Sequence, residues 1–287
     1  MRAVFRHELS SLFTGLIGYV FGAFLLLFTG FYAMSYNLQN AIANFEYVLG
    51  ATCFVYILAV PVLTMRILSD EKKQRTDQLL YSLPLSMTKV ILGKYCALLV
   101  LLVIPCLIVG LYPLILSSYG AVPFPAAYSG LTTFFLLGAA LIAMGMFASS
   151  LTESLPVAAG VCFVFMLLNY YMVELVEYLP GTAMVSLTAL MIVAALIALL
   201  VRFMTKSDLA ALITGGVLEA GLVIVYVIKA TLFEGLFPAM LNQLSVFERF
   251  YGFIYGMFDI GGVVYFLTVI GVFLFLSVQS MEKRRWS

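Results

Sequence analysis

The chain has 287 residues, of which 64% are hydrophobic and 10% charged, with a formal net charge of +1. Soluble domains carry about 25% charged residues, so a soluble chain of this length could not cover its surface with so few. The near-zero net charge removes any global electrostatic case for nucleic acid. Composition therefore points to an integral membrane protein whose backbone groups are satisfied inside helices.

In chain order, Arg2 to Phe13 mixes Val4, Phe5, Leu9, Leu12 and Phe13 with Arg2, Arg6, His7 and Glu8. That pattern suits a helix lying in a membrane interface, and residues 1–14 are read as an N-terminal interfacial elbow. The first apolar run begins after this charged helix and is not followed by a small-x-small cleavage site, so no cleavable signal is expected there. A bilayer-crossing helix needs roughly 20 apolar residues, and eight spans are expected over about 15–36, 47–68, 94–117, 128–150, 155–176, 183–203, 209–232 and 258–280. Spans three and four are divided by SSYGAVPFPAAYSG, a loop by its Pro, Gly and Ser content, and spans four and five by the turn Leu151 to Ser154. In span seven, Gly216 and Ala220 form a small-xxx-small pair suited to close packing. Residues 233–257 are too polar to span and too apolar for a free loop, and are read as an outer interfacial hairpin. The fold class is all-α: a polytopic membrane helix bundle, read as one transmembrane domain over 1–287.

Orientation follows from Lys and Arg. With both termini in the cytoplasm, 13 of the 15 basic residues lie inside, leaving Lys229 and Arg249 outside. The connection from Arg66 to Lys94 then lies in the cytoplasm and concentrates nine charged side chains: Arg66, Asp70, Glu71, Lys72, Lys73, Arg75, Asp77, Lys89 and Lys94. Its pattern is helical, with Thr76, Leu79, Leu80 and Leu83 on one apolar face. Pro84 disfavours helix at Leu83, and Ser86 is the expected N-cap of the next helix. An amphipathic helix tethered at both ends to spanning helices can act as a lever. Enforcing topology is the plainer use of the same charges.

The stretch DEKKQRTDQLLYSLPLSMTKVILGKY resembles the coupling segment of ABC type-2 transporter permeases: acidic pair, basic pair, Thr, Leu-Leu, Pro-x-Ser, then Gly-Lys-Tyr. The start, FRHELSSLFTGLIGYV, is similar to the elbow and first span of the gliding-motility (GldF-like) permeases. So is the end, with Gly-x-x-Asp before the last span and a terminal Arg-Arg-Trp. Where that family often has Gly before the coupling Thr, this chain has Arg75, and Thr14-Gly15 replaces a frequent Ser-Pro. The resemblance implies a permease subunit, an exporter by prior, in a bacterial inner membrane, with no catalytic residues of its own. Two copies of an ABC ATP-binding subunit would dock on residues 69–94, and a second permease copy or a paralogue would complete the pair. Leu79, Leu80 and Leu83 are expected to dock in the ATPase, with Glu71 and Arg75 making charged contacts. The chain has no G-x-x-x-x-G-K-[ST] loop, so ATP and Mg are expected on the partner and no cofactor on this chain.

Glu219 is the acid expected near a bilayer centre, where an ionised carboxylate costs about 2.5–3.5 kcal/mol. With Asn169 it is a pathway candidate, either as a proton or substrate contact or as a hydrogen-bonded packing residue. The alternative function, an ion-coupled secondary transporter, would use Glu219 as proton carrier. Glu174, Glu177, Glu234, Glu248 and Asp259 make the outer face acidic, which suits a cationic substrate or an extracytoplasmic accessory protein and equally suits ordinary solvated loop ends. Cys53, Cys96, Cys106 and Cys162 sit inside apolar runs without metal-ligand spacing and read as buried hydrophobes. His7 is the single histidine, which argues against a histidine-built metal site.

Overall fold

The computed structural model describes residues 1–74, 86–205, 208–255 and 259–286. Regular structure among the described residues is helical. One compact unit comprises Met1–Leu168 with Arg249–Ser287, and the other Asn169–Glu248. The first carries α1 (Arg2–Thr14), α2 (Leu16–Ala33) with a π-helical extension (Met34–Gln39), α3 (Glu46–Lys73) and α4 (Met87–Val109). It continues with α5 (Tyr112–Leu116), α6 (Phe124–Leu151), nearly all of α7 (Leu155–Tyr170) and α13 (Ile260–Trp286). The second holds α8 (Met172–Glu177), α9 (Ala183–Thr205), α10 (Asp208–Ile228), a 3-10 turn (Ala230–Phe233) and α11 (Leu236–Leu244). Helix α12 (Val246–Ile254) straddles the boundary between them.

Five stretches among the described residues are long and apolar enough to cross a membrane: Leu16–Gln39, Glu46–Lys73, Met87–Leu116, Phe124–Leu151 and Ile260–Lys283. A sixth is counted if Leu212–Ile228 and Ala230–Leu244, bent by 118°, form one broken span. The remaining apolar helices, Leu155–Tyr170 and Ala183–Leu199, are shorter. The expected run 155–176 is divided because α7 ends at Tyr170 and the chain turns at Tyr171 (φ −83°, ψ 2°) before Glu174. At a rise of 1.5 Å per residue, 17 apolar residues give about 26 Å, slightly less than the hydrocarbon thickness of about 30 Å.

In the first unit α6 packs against α3, α4 and α13, and α1 packs on α4. The apolar windows of α3 and α6 are each 72% buried, against 22% for α2 and 17% for α13. The α3–α6 pair is therefore the core, while α2 and α13 present most of their surface outward. Two glycines set the pairing distance. A Cβ on Gly138 would lie 2.9 Å from the Tyr56 ring, and one on Gly145 would lie 2.9 Å from Thr64 Cβ. Both are shorter than ordinary contact, so only glycine permits this approach of backbones. Hydroxyls inside the bundle are satisfied locally: Thr52 and Thr64 donate to Val48 O (2.7 Å) and Val60 O (2.9 Å). Across helices, Tyr56 donates to Phe134 O (3.3 Å) and Tyr95 to Ala139 O (3.1 Å).

Boundaries follow from identifiable side chains. Gly15 breaks α1 from α2 with an extended backbone (φ −85°, ψ 160°). Ser86 takes the N-cap position expected of it (φ −71°, ψ 142°), although its hydroxyl makes no cap bond. Asp259 precedes α13 and its carboxylate accepts the N–H of Gly261 (2.8 Å) and of Gly262 (3.2 Å), which are orphan donors of the first turn. In the second unit α9 packs on α10 and α11 on α8 and α9. The small residue of α10 that approaches α9 is Gly215, whose Cβ would lie 3.0 Å from Ala198 Cβ; Gly216 has nothing within 4 Å. The helical phase thus turns the Gly216/Ala220 pair away from α9.

Candidate functional site

The polar side chains of the first unit gather where α3 ends and α4 begins. Helix α3 does not stop with its apolar run at Leu68 but continues through Lys73. Its last turns carry charge while still packed against neighbours, where most buried polar groups need a partner.

Lys94 is the centre of one cluster. It is the eighth residue of α4 and is 1% exposed. Its Nζ donates to Glu8 Oε1 of α1, to Glu71 Oε1 of α3 (2.7 Å) and to Ile67 O (3.2 Å). An ammonium has three donors, and all three are used. The result is one buried cation joining α1, α3 and α4, with carboxylates whose side chains are 13% (Glu8) and 23% (Glu71) exposed.

A second cluster joins α3 to α6 and α13. Ser69 donates its hydroxyl to Ser149 O (3.0 Å), and Ser149 Oγ accepts the N–H groups of Leu68 (3.2 Å) and Ser69 (3.0 Å). The Ser149 hydroxyl donates in turn to Met65 O (3.1 Å). Lys72, 4% exposed, donates to Ser150 O, and Ser280 Oγ reaches the same carbonyl at 2.9 Å. These bonds satisfy carbonyls in the last turn of α6 that have no partner within the helix. Between Ile67 and Lys72, α3 is thus bonded directly to α4 and α6, and is linked to α1 through Lys94 and to α13 through the shared Ser150 carbonyl.

Glu71, expected to make charged contacts with a partner protein, directs Oε1 to Lys94 and keeps 23% of its side chain exposed. Arg75, Leu79, Leu80 and Leu83 lie outside the described residues. Asn169 is 5% exposed and donates from Nδ2 to Leu244 O (3.1 Å), while its Oδ1 accepts Val246 N–H (3.0 Å) and its backbone O accepts Ser245 Oγ (3.3 Å). It clips the turn between α11 and α12. Glu219 is half-buried on the first arm of the bent helix pair.

Sequence reasoning missed Lys94 as a linchpin, together with Glu8, Ser69, Lys72, Ser149 and Ser150. A lysine inside an apolar run, twenty-three residues after Glu71, was the available signal. It also missed Glu46 at the start of α3, which is 4% exposed and accepts from Asn44 Nδ2; its Oε2 has no hydrogen-bond partner among the described residues. Among the described residues no group of three His, Cys, Asp or Glu is placed to hold a metal ion.

The two clusters hold ammonium groups and hydroxyls against carboxylates and backbone carbonyls. The family described as "ABC-2 family transporter protein" matches residues 2–185. A comparison with curated proteins matches none. The match takes in α1 to α8, including both clustered ends of the 69–94 segment, and extends over more than half of the chain. The chain is a multi-pass membrane protein that belongs to the ABC-2 transporter family.

Proposed function

We propose that this chain is the permease subunit of an ATP-driven exporter of the gliding-motility (GldF-like) subgroup, in a bacterial inner membrane, with residues 69–94 as its coupling segment. Two copies of a separate ATP-binding subunit hold ATP and Mg, and a second permease copy or a paralogue completes the pathway. Eight spans cross the membrane with both termini in the cytoplasm, α1 lies in the inner interface as an elbow, and residues 233–257 form an outer hairpin. Leu79, Leu80 and Leu83 dock on the ATPase with Arg75 beside them. Glu71 acts one step further in, through Lys94.

The observation that carries this reading is the Glu71–Lys94 pair (2.7 Å). It closes the base of the segment, so its two stems move as one body. A push on the segment then reaches α1 through Glu8, α6 through Ser149 and Ser150, and α13 through Ser280. A positive-inside loop that served topology alone would need charge but no buried network.

The test is co-purification of the permease with its ATPase. Leu79→Asp combined with Leu80→Asp is expected to abolish it while membrane insertion and expression stay normal. Undiminished co-purification would remove the docking role. Of the pathway candidates, Glu219 retains a role as substrate or proton contact, supported by its position in a broken helix pair, a feature that transporters place at binding sites.

A further inference from the structure

A cavity of about 850 Å³ lies under α1, walled by α1, the start of α2, the end of α3 and Lys94 of α4. Its polar lining includes three carboxylates, Glu8, Asp70 and Glu71, against two fixed cations, Lys94 and Arg66. Lys94 is saturated by Glu8, Glu71 and Ile67 O. Arg66 is exposed and makes no bond inside that cluster. The carboxylates of the lining therefore outnumber its Lys and Arg side chains, Asp70 accepts from Gln74 Nε2 (3.3 Å), and Arg66 is the exposed cation, one turn before Asp70 on α3. The rest of the wall sets the apolar side chains of Leu12, Ile17 and Leu63 beside His7, Ser11, Thr14 and Gln74.

The depth of the cavity matters as much as its charge. Its α3 lining runs from Leu63 to Gln74, about 16 Å along the axis at 1.5 Å per residue. A headgroup layer is only about 5–7 Å thick on each side of the hydrocarbon. With α3 crossing the bilayer as its length and composition imply, a cavity of that extent is longer than the headgroup layer, and an amphiphile suits it.

From this juxtaposition of a carboxylate-rich pocket, the exposed Arg66 among its lining residues and the apolar side chains of Leu12, Ile17 and Leu63, we propose that the cavity under α1 binds a bilayer phospholipid whose headgroup carries both a phosphate and a primary ammonium. The ammonium has N–H donors for the carboxylates, Arg66 takes the phosphate, and an acyl chain lies along Ile17 and Leu63. A headgroup with phosphate alone would meet an excess of carboxylates, and a trimethylammonium has no N–H to donate. The proposal rests on membrane insertion and is independent of ATP coupling.

The experiment uses the full chain in nanodiscs of equimolar ethanolamine, choline and glycerol phospholipids with identical acyl chains. Bound lipid is counted by native mass spectrometry after detergent release. The expected result is a several-fold enrichment of the ethanolamine lipid that Arg66→Ala with Asp70→Asn abolishes. Ser11→Trp, which fills the mouth from the exposed side of α1, is expected to abolish it too, and covers the case in which the double variant folds poorly. Equal retention of the three lipids, or enrichment that survives both variants, overturns the proposal. Displacement of the lipid by soluble phosphoethanolamine at matched concentration also overturns it, because the chains would then contribute nothing.

Discussion

Replacing Lys94 by methionine removes the buried charge while keeping the length of the side chain. The three bonds of Nζ disappear together, and Glu8 and Glu71 lose their shared counter-ion. Deleting one partner of a buried ion pair costs about 3–5 kcal/mol. The low end applies, about 3 kcal/mol, because the two carboxylates keep 13% and 23% of their side-chain surface and water can partly solvate them. Most of that loss is the cost of stranding the acids. Adding Glu8→Gln and Glu71→Gln to Lys94→Met is therefore expected to restore most of the stability. The assay is thermal unfolding of the full chain in detergent, with limited trypsin digestion at Arg2 and Arg6 as a report on α1. The single variant should melt several degrees lower and be cut faster near the N-terminus, and the triple variant should approach the parent. Equal melting of parent and single variant, or a triple variant worse than the single one, would refute the view that Lys94 holds three helices together.

Other perturbations follow from individual contacts. Gly145→Ala should destabilise by about 1–3 kcal/mol, the usual cost of overpacking, and Thr64→Ala should recover part of it in a melting experiment, since Thr64 is what the new Cβ meets. Asn169→Ala strands the N–H of Val246 and should cost about 1–3 kcal/mol; a loss of transport with unchanged melting would instead make Asn169 a pathway contact. Asp259→Ala should cost about 1 kcal/mol as a lost N-cap, read as faster hydrogen exchange in the first turn of α13. Ser149→Ala removes the shared hydroxyl between α3 and α6 and should lower the melting temperature more than Ser154→Ala, whose residue lies in the exposed turn.

The class of the protein was legible in composition, because 10% charge cannot clothe a soluble chain. The start of α4 was legible at Ser86, where a residue type dictates backbone, whereas the break at Gly15 and the cap at Asp259 came from the structure. The charged interval was visible as well, since nine charges in an apolar chain stand out by count alone. What one sequence could not supply was the number of helices long enough to cross, because a short apolar run and a long one differ by a turn at Tyr171. Nor could it supply the phase of α10, which faces Gly215 rather than Gly216 to its neighbour.

The partners of the charges belong to the tertiary structure alone. Glu8 and Lys94 are eighty-six residues apart, and Ser69 and Ser149 eighty. Local pattern carries information over a few turns of helix, whereas such pairs meet only when whole helices pack. Hydropathy therefore determined which segments leave water. Side-chain fit between α1, α3, α4 and α6 decided that Glu71 turns inward to Lys94, because a buried ammonium must fill all three of its donors from whatever elements surround it.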